Sequence, residues 1–337
     1  MSGHAALKST GKAVPQVRAA AGILGIALAF LVAPMPAAGA EPVYFNVVPG
    51  AHPHDVAAAP TPKGLVYYTA QSTGRLGILD PATGKVEEVA LGDKSAPHGV
   101  VVGPDGAPWI TDGGLNAIVR VDPKTRVVRA WALPANSGYA NLNTLTFDRQ
   151  GRVWFTGQSG VYGRLDPATG DVKVWQAPRG RGPYGIATAP NGDVWYASLA
   201  GNHIARIDVN TGEATVVEPP TANQGARRVW PDSKGRIWVS YWNTGHVGRY
   251  DPATRTWREW KLPGNARAYS VWVDERDRVW LTDWSINAIV RFDPETEKFD
   301  TFPSNKGNAT VRQMLGRAGE AWGAESGTDR LVMVPSR

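Results

Sequence analysis

The sequence contains no cysteine among its 337 residues. This absence excludes a disulfide scaffold, a thiolate metal centre, an iron–sulfur cluster and a cysteine nucleophile. The Gly-x-Ser-x-Gly elbow, the phosphate-binding loop and the His-Glu-x-x-His zinc motif are also missing. The net charge is only +6, and no stripe of Lys and Arg alternates with aromatic residues. We therefore expect no nucleic-acid partner.

Long hydrophobic runs are scarce as well. The apolar stretch 19–33 is shorter than the roughly 20 residues that span a bilayer. It follows three basic residues and precedes the small-residue run 38–40, which is the pattern of an export signal. We predict a signal peptide over residues 1–40 and a mature chain, 41–337, that is periplasmic or secreted without stable membrane insertion. The alternative is an uncleaved anchor.

Tryptophan is abundant and regularly spaced, with 14 Trp against 7 Phe. Six of them recur 41 to 45 residues apart, and Tyr67 takes the same place one repeat earlier; the six are Trp109, Trp154, Trp195, Trp238, Trp280 and Trp322. Asp-Pro turns keep the same spacing. Periods of this size are typical of propellers or solenoids.

Each repeat has the pattern of four short strands separated by turn residues, without helical periodicity. The sequence therefore predicts an all-β fold, a single seven-bladed β-propeller of four-stranded blades. The seventh repeat supplies only three strands before the chain ends. We predict that residues 43–48 form its missing strand, so that the N-terminal strand closes the last blade and removes an open edge.

The regularly spaced tryptophans are interpreted as structural, filling the wedges between blades. Trp242 and Trp284 differ, because each lies four residues beyond the regular position, near the rim of the central channel. They could either pack within the fold or form a platform for a ligand.

Two positions in each blade should open on one face of the ring, where the first strand begins and the second ends. The strand-start positions are His54, His98, Asn143, Tyr184, Arg227, Tyr269 and Val311. The strand-end positions are Ala70, Asp112, Gly157, Ser198, Tyr241, Asp283 and Glu325. Because these equivalent positions carry very different chemistry, we place the functional site on this face.

One arc of this face combines imidazoles with carboxylates. His54 and His98, with Asp112, Asp283 and Glu325, could hold a divalent cation or form a general-base pair. Alternatively, they are solvated rim residues or bond to backbone between blades. The opposite arc offers a ligand clamp for an anionic or carbonyl-rich group, made of Asn143, Tyr184, Arg227, Tyr269, Trp242 and Trp284.

The second repeat, with Pro97-His98-Gly99-Val100, Trp109-Ile-Thr-Asp112 and Asp122-Pro123, resembles that of the virginiamycin B lyase (streptogramin lyase) family. The likeness extends over residues 43–337. It implies a seven-bladed propeller that opens cyclic streptogramin B antibiotics by elimination across an ester, with Mg²⁺. On this resemblance His98 is the base, His54 orients it, and Asp112 or Glu325 holds the cation. The family's metal-binding Glu is replaced by Ala96.

Two other functions remain open from the sequence. One is a non-catalytic periplasmic propeller that grips a small molecule, a cyclic peptide-like ligand or a protein. The other is a metal-dependent hydrolase of the lactonase type. We expect a monomer in each case.

Overall fold

The computed structural model describes residues 41–265 and 267–336, together with Met1 and Gly3. Residues 40–337 form one compact unit. The predicted signal peptide lies outside the described residues, apart from those two. Within the described part, no helix is long and apolar enough to cross a membrane.

The described chain forms 28 strands and two short 3₁₀ helices, Gln71–Thr73 and Ala135–Ser137. The first half of the strands are β1 (Val43–Asn46), β2 (Pro53–Ala58), β3 (Val66–Ala70), β4 (Arg75–Asp80), β5 (Lys85–Ala90), β6 (Pro97–Val102), β7 (Pro108–Asp112), β8 (Ala117–Val121), β9 (Val128–Ala132), β10 (Leu142–Phe147), β11 (Val153–Gly157), β12 (Val161–Leu165), β13 (Val172–Gln176) and β14 (Pro183–Thr188). The second half are β15 (Val194–Ser198), β16 (His203–Ile207), β17 (Ala214–Val217), β18 (Ala226–Pro231), β19 (Ile237–Tyr241), β20 (His246–Asp251), β21 (Thr256–Lys261), β22 (Ala268–Val273), β23 (Val279–Asp283), β24 (Ala288–Asp293), β25 (Lys298–Pro303), β26 (Val311–Met314), β27 (Glu320–Glu325) and β28 (Arg330–Pro335).

These strands pair into seven four-stranded antiparallel sheets, the blades of a β-propeller. Blades one to six are consecutive, from β2–β5 to β22–β25. Blade seven has the order β1-β28-β27-β26, so the N-terminal strand supplies its outer edge, with Tyr44 opposite Val332. Both the seven-bladed fold and the closure by the N-terminal strand are confirmed. The paired strand covers Val43–Asn46, two residues fewer than predicted.

The core lies between neighbouring blades, and the regularly spaced tryptophans fill it. All six are buried, with exposed fractions between 0% and 3%. In several blades the indole Nε1 donates to an aspartate in the turn between the first two strands, as from Trp154 to Asp148 at 2.8 Å. The ring also stacks on a fourth-strand tryptophan, as Trp238 does on Trp260. The predicted packing role of these residues is confirmed.

A bulge at the start of each first strand prepares the central site. In every blade the pairing of the first two strands shifts register there, as between Pro97 and Gly99. In most blades a second-strand hydroxyl fills the bulge: Thr111 Oγ1 accepts from Gly99 N at 2.9 Å and donates to the carbonyl of Asn143 in the next blade at 2.6 Å. The bulge thus fixes the first-strand backbone and ties each blade to its neighbour.

Candidate active site on the propeller axis

The bulges present two successive side chains of each first strand near the axis. The first set, here called the axial ring, consists of His54, His98, Asn143, Tyr184, Arg227, Tyr269 and Arg312. The next residues form the second ring, which is Asp55, Gly99, Thr144, Gly185, Arg228, Ser270 and Gln313. Six of the seven predicted strand-start residues therefore belong to the axial ring.

The seventh prediction, Val311, is wrong. Val311 pairs with Glu325, fourteen residues later, whereas the corresponding pair in blade two, Pro97 and Asp112, is fifteen residues apart. Blade seven is one residue shorter between its first two strands, so Arg312 takes the axial position. The guanidinium of Arg312 therefore lies beside the histidines, with its Nη1 3.3 Å from His54 Nε2.

The two histidines lie against each other, with ring centroids 3.8 Å apart. His54 Nδ1 is 2.8 Å from Asp55 Oδ1, which fixes the ring and leaves Nε2 toward the axis. Both nitrogens of His98 are engaged by one residue: Nδ1 lies 3.0 Å from the Asn143 carbonyl and Nε2 lies 3.2 Å from Asn143 Nδ2. Of the two, His54 therefore has the nitrogen better placed to accept a proton.

Burial disfavours the charged imidazolium and lowers the pKa of His54 well below its usual value. The nearby guanidiniums of Arg312, Arg228 and Arg227 lower it further. Burial also lowers the pKa of His98, and the adjacent His54 adds to the effect. Both imidazoles are therefore neutral at neutral pH.

Two tyrosines complete the polar centre. Their hydroxyls are 3.0 Å apart, and the Tyr269 hydroxyl lies 3.5 Å from His54 Nε2. Burial opposes ionisation of Tyr269, but Arg227, Arg228 and Arg312 together outweigh it and lower its pKa to about 8. Burial and the neighbouring Tyr269 raise the pKa of Tyr184 to about 12. The first proton lost from this pair is therefore that of Tyr269.

Three arginines face this centre but only one has a carboxylate partner. Arg228 Nη2 lies 3.2 Å from Asp55 Oδ1, an ion pair with both side chains almost fully buried. Among the described residues, no ion pair joins Arg227 or Arg312 to a carboxylate. Arg227 instead donates from Nη2 to the Tyr184 hydroxyl at 2.6 Å. The site thus carries excess positive charge.

Trp242 and Trp284 wall the side of the ring formed by blades five and six. Trp284 stacks on Tyr269, with centroids 5.0 Å apart and planes at 12°, and donates from Nε1 to the Val311 carbonyl at 2.6 Å. Trp242 contacts Trp284 edge-on, and Arg227 Cζ lies 4.5 Å from the ring centroid of Trp242. Both indoles are half-buried. Trp242 and Trp284 thus lie beside Arg227 and Tyr269, whereas Asn143 contacts His98; a ligand-binding role for this group stays a prediction.

The three carboxylates predicted as metal ligands do not join this centre. Asp112 accepts from the backbone N–H of Ala96 and of Leu115, both at 2.9 Å, and so caps its own blade's loops. Asp283 accepts from Gly264 N at 3.1 Å. Glu325 accepts from Arg330 Nε at 2.8 Å. All three are fully buried in these local contacts because they end second strands, where their side chains turn toward the loops.

Among the described residues, the grouping with metal-ligand spacing is His54, Asp55 and His98, and it does not fit Mg²⁺. Mg²⁺ prefers an octahedron of oxygens, whereas this group offers a single carboxylate. That carboxylate is already bonded to His54 and to Arg228. The surplus guanidiniums would also repel a divalent cation.

The opposite end of the channel is chemically different. A cavity of about 440 Å³ opens there, lined mainly by apolar residues that include Phe147, Trp230 and Trp272, with no ionisable side chain. A much smaller gap, lined by Asp55 and Arg228 among others, lies between this cavity and the axial ring. The buried ion pair of Asp55 and Arg228 therefore lies between the apolar cavity and the axial ring.

Sequence reasoning missed Asp55 and the joint role of the second ring. The only signal for Asp55 was its position directly after His54, and a regular strand would turn these two side chains to opposite faces. The bulge cancels that alternation. A bulge is set by strand pairing and cannot be seen in one strand's sequence.

Known proteins resemble this chain in fold and sequence. It superposes on a streptogramin B lyase structure with TM-score 0.79 at 22% identity, covering 88% of this chain and 97% of that one. For virginiamycin B lyase from Staphylococcus aureus the TM-score is 0.81 at 20% identity, covering 88% and 99%. At these identities the likeness concerns the fold.

A gluconolactonase from Zymomonas mobilis is 31% identical over 143 residues, which is 36% of this chain. The match spans only 39% of that relative's length. A sequence profile described as the virginiamycin B lyase family matches residues 35–264, well over half of the chain. The chain therefore belongs to the virginiamycin B lyase family.

Proposed function

We propose that the axial ring catalyses elimination across an ester, with the chain acting as a lyase. The observation that carries this proposal is the juxtaposition of two proton acceptors with unpaired positive charge. His54 Nε2 and the Tyr269 hydroxyl are 3.5 Å apart, and Arg312 Nη1 is 3.3 Å from the same His54 nitrogen. Family membership supports the same reaction class.

In this reaction a base removes a proton from the carbon adjacent to the one that bears the ester oxygen. The electron pair forms a carbon–carbon double bond, the carbon–oxygen bond breaks, and a carboxylate leaves. We assign proton removal to the Tyr269 phenolate, whose pKa of about 8 suits catalysis near neutral pH. His54, oriented by Asp55, lies with its Nε2 3.5 Å from the Tyr269 hydroxyl and positions that group by accepting its hydrogen bond once the proton has been taken up.

Charge develops on the leaving oxygen and on the carbonyl beside the carbon that loses its proton. Arg227 and Arg312 would stabilise this negative charge, the role that Mg²⁺ has in the reaction implied by the family. Mg²⁺ remains a prediction from the family resemblance, and the residues present supply no oxygen-rich site for it. The reaction proposed for this chain is therefore written without a metal.

The test is incubation of purified protein with a streptogramin B, followed by mass spectrometry and chromatography. Elimination opens the ring without changing its mass, whereas hydrolysis adds the mass of one water. We expect a ring-opened product of unchanged mass, and an activity loss of roughly 100-fold in Tyr269→Phe. Tyr139→Phe, at an exposed tyrosine outside the axial ring, is the matched control and should keep activity. An intact antibiotic would contradict the lyase proposal for this substrate.

A lactonase-type hydrolase is the second candidate, favoured by the partial match to gluconolactonase. The same assay on a simple lactone separates the two, because only the hydrolase gives a product that has gained water. Binding of either compound without change would instead support a non-catalytic ligand-binding propeller.

Export to the periplasm, which the N-terminal pattern predicts, is part of this proposal and would be tested by fractionation of expressing cells.

A further inference from the structure

We infer that the axial ring contains a binding site for the carboxylate of an apolar or aromatic acid, with Arg227 and Arg312 as its anion-binding groups. This inference rests on the proposed function, because it names the class of acid whose carboxylate the elimination releases at the same site. Arg227 and Arg312 would stabilise the negative charge as it develops and hold the carboxylate once it has formed.

The first argument is the state of Arg227. Arg227 is only 9% exposed, and its guanidinium has no carboxylate partner among the described residues. Within the part of the chain that the structure describes, its Nε has no hydrogen-bond partner. A buried guanidinium is normally paired, since isolation of a charge from water is costly. An unpartnered donor at this depth points to a ligand that supplies the missing acceptor.

The second argument is the position of Arg312. Arg227 Cζ lies 3.8 Å and Arg312 Cζ lies 5.9 Å from the centroid of the same Tyr269 ring. Two guanidiniums therefore lie near one ring, and no ion pair joins either of them to a carboxylate of the described residues. Arg312 is half-buried, so its guanidinium is partly accessible to an entering ligand. A guanidinium matches the planar geometry of a carboxylate.

The third argument concerns the rest of the ligand. The walls beside the two arginines are aromatic, formed by Trp242, Trp284 and Tyr269, which contact one another at 5.0 to 5.9 Å between centroids. Such faces favour an apolar or aromatic frame attached to the anion. A free inorganic anion would use the arginines and leave the aromatic surface without a partner.

The experiment is calorimetric titration of the wild-type protein with benzoate, benzamide and inorganic phosphate at fixed ionic strength. Benzamide has the shape of benzoate without its charge. We expect benzoate to bind at least about tenfold more tightly than benzamide, because charge-assisted hydrogen bonds to arginine favour the carboxylate. We also expect benzoate to bind more tightly than phosphate. Equal affinities for benzoate and benzamide would overturn the inference, as would a preference for phosphate.

Variants locate the site. Arg312→Gln should weaken benzoate binding at least about tenfold, and Arg227→Lys should retain more affinity than Arg227→Gln. Arg206→Gln is the control, since Arg206 lies exposed on the third strand of blade four. If Arg227→Gln fails to fold, Arg312→Gln still tests the anion site. The Arg312 side chain is only half-buried, so we expect that variant to fold. Unchanged benzoate affinity in Arg312→Gln would overturn the site.

The two proposals can fail separately. Benzoate binding that depends on Arg312, without ring opening of any ester, would refute the lyase and leave the anion site in place. Ring opening by a protein that does not distinguish benzoate from benzamide would refute the anion site and leave the lyase in place.

Discussion

Asp55 is the residue on which the axial site most depends, although it lies behind the ring. Its carboxylate contacts His54 Nδ1 at 2.8 Å and Arg228 Nη2 at 3.2 and 3.3 Å. The carboxylate therefore orients the His54 imidazole and neutralises the Arg228 guanidinium. Since all three residues are at most 3% exposed, bulk water does not screen these contacts.

Asp55→Asn should lower the free energy of unfolding by about 3–5 kcal/mol, because it leaves a buried guanidinium without its counter-charge. The measurement is urea denaturation. The control is Asp300→Asn, which removes the exposed ion pair with Arg291 and should cost less than about 1 kcal/mol. Equal losses in the two variants would contradict the structural importance of the buried pair.

Tyr269 should be the first tyrosine of the axial ring to ionise. Burial opposes its ionisation and three guanidiniums favour it, with a resulting pKa of about 8, below the usual value near 10. A spectrophotometric titration of phenolate absorbance should show one tyrosine ionising near pH 8, and Tyr269→Phe should remove that step.

Tyr139→Phe is the control for this titration, since Tyr139 is 62% exposed and outside the ring. The step near pH 8 should persist in that variant. Activity, where present, should rise with pH through the same range, because the phenolate is the active form. A wild-type protein in which no tyrosine ionises below pH 9.5 or so would contradict the assignment.

At the scale of elements, the bulge in each first strand decides how much of the site can be predicted. The repeat spacing is a property of the sequence, so it predicted the blades, the axial positions of blades one to six, and the closing strand. Two residues of the site were not predicted from this spacing. Arg312 was missed because blade seven is one residue shorter, and Asp55 because the bulge turns it toward the axis with His54. Asp112, Asp283 and Glu325 were placed with the histidines because spacing reports position along a strand and not the direction of a side chain.

The closing strand β1 gives a prediction at the same scale. Phe45 packs on Trp322 with centroids 5.3 Å apart, and Val47 N donates to the Asp329 carbonyl at 3.0 Å. Phe45→Ala should lower the melting temperature by about 5 °C, because it removes a large part of the contact between β1 and its blade.

Val43→Ala is the control for the closing strand, since Val43 is 42% exposed at the beginning of β1. It should leave the melting temperature almost unchanged. Differential scanning calorimetry measures both variants. A Phe45→Ala protein as stable as the wild type would show that β1 contributes little to closing the ring.

At the scale of the whole molecule, seven blades together set the charge at the axis. Blades five and seven contribute Arg227, Arg228 and Arg312, whereas blade one contributes the single carboxylate of Asp55. The excess positive charge arises because equivalent positions of different repeats converge on one line.

This charge leads to a prediction about metals. A cation bound to the folded state would raise the melting temperature, and its removal would lower it. Because we expect no such cation site, neither a chelator nor millimolar Mg²⁺ should change the melting temperature. Thermal unfolding with and without each addition is the measurement. A rise with Mg²⁺ that His54→Ala abolishes would contradict the poor fit of this site to a divalent cation.

The pairing of β1 with β28 also has a consequence for the order of folding. Gly50 N, just after β1, donates to Asp329 Oδ2, which is 279 residues away in the chain. During synthesis the first strand of the propeller emerges long before its partner exists, so blade seven and the ring cannot be completed until β28 has been synthesised. Until then β1 has no native neighbour in its blade. We therefore expect nascent chains that lack β28 to remain protease-sensitive at both ends of the ring, even where the middle blades have already folded.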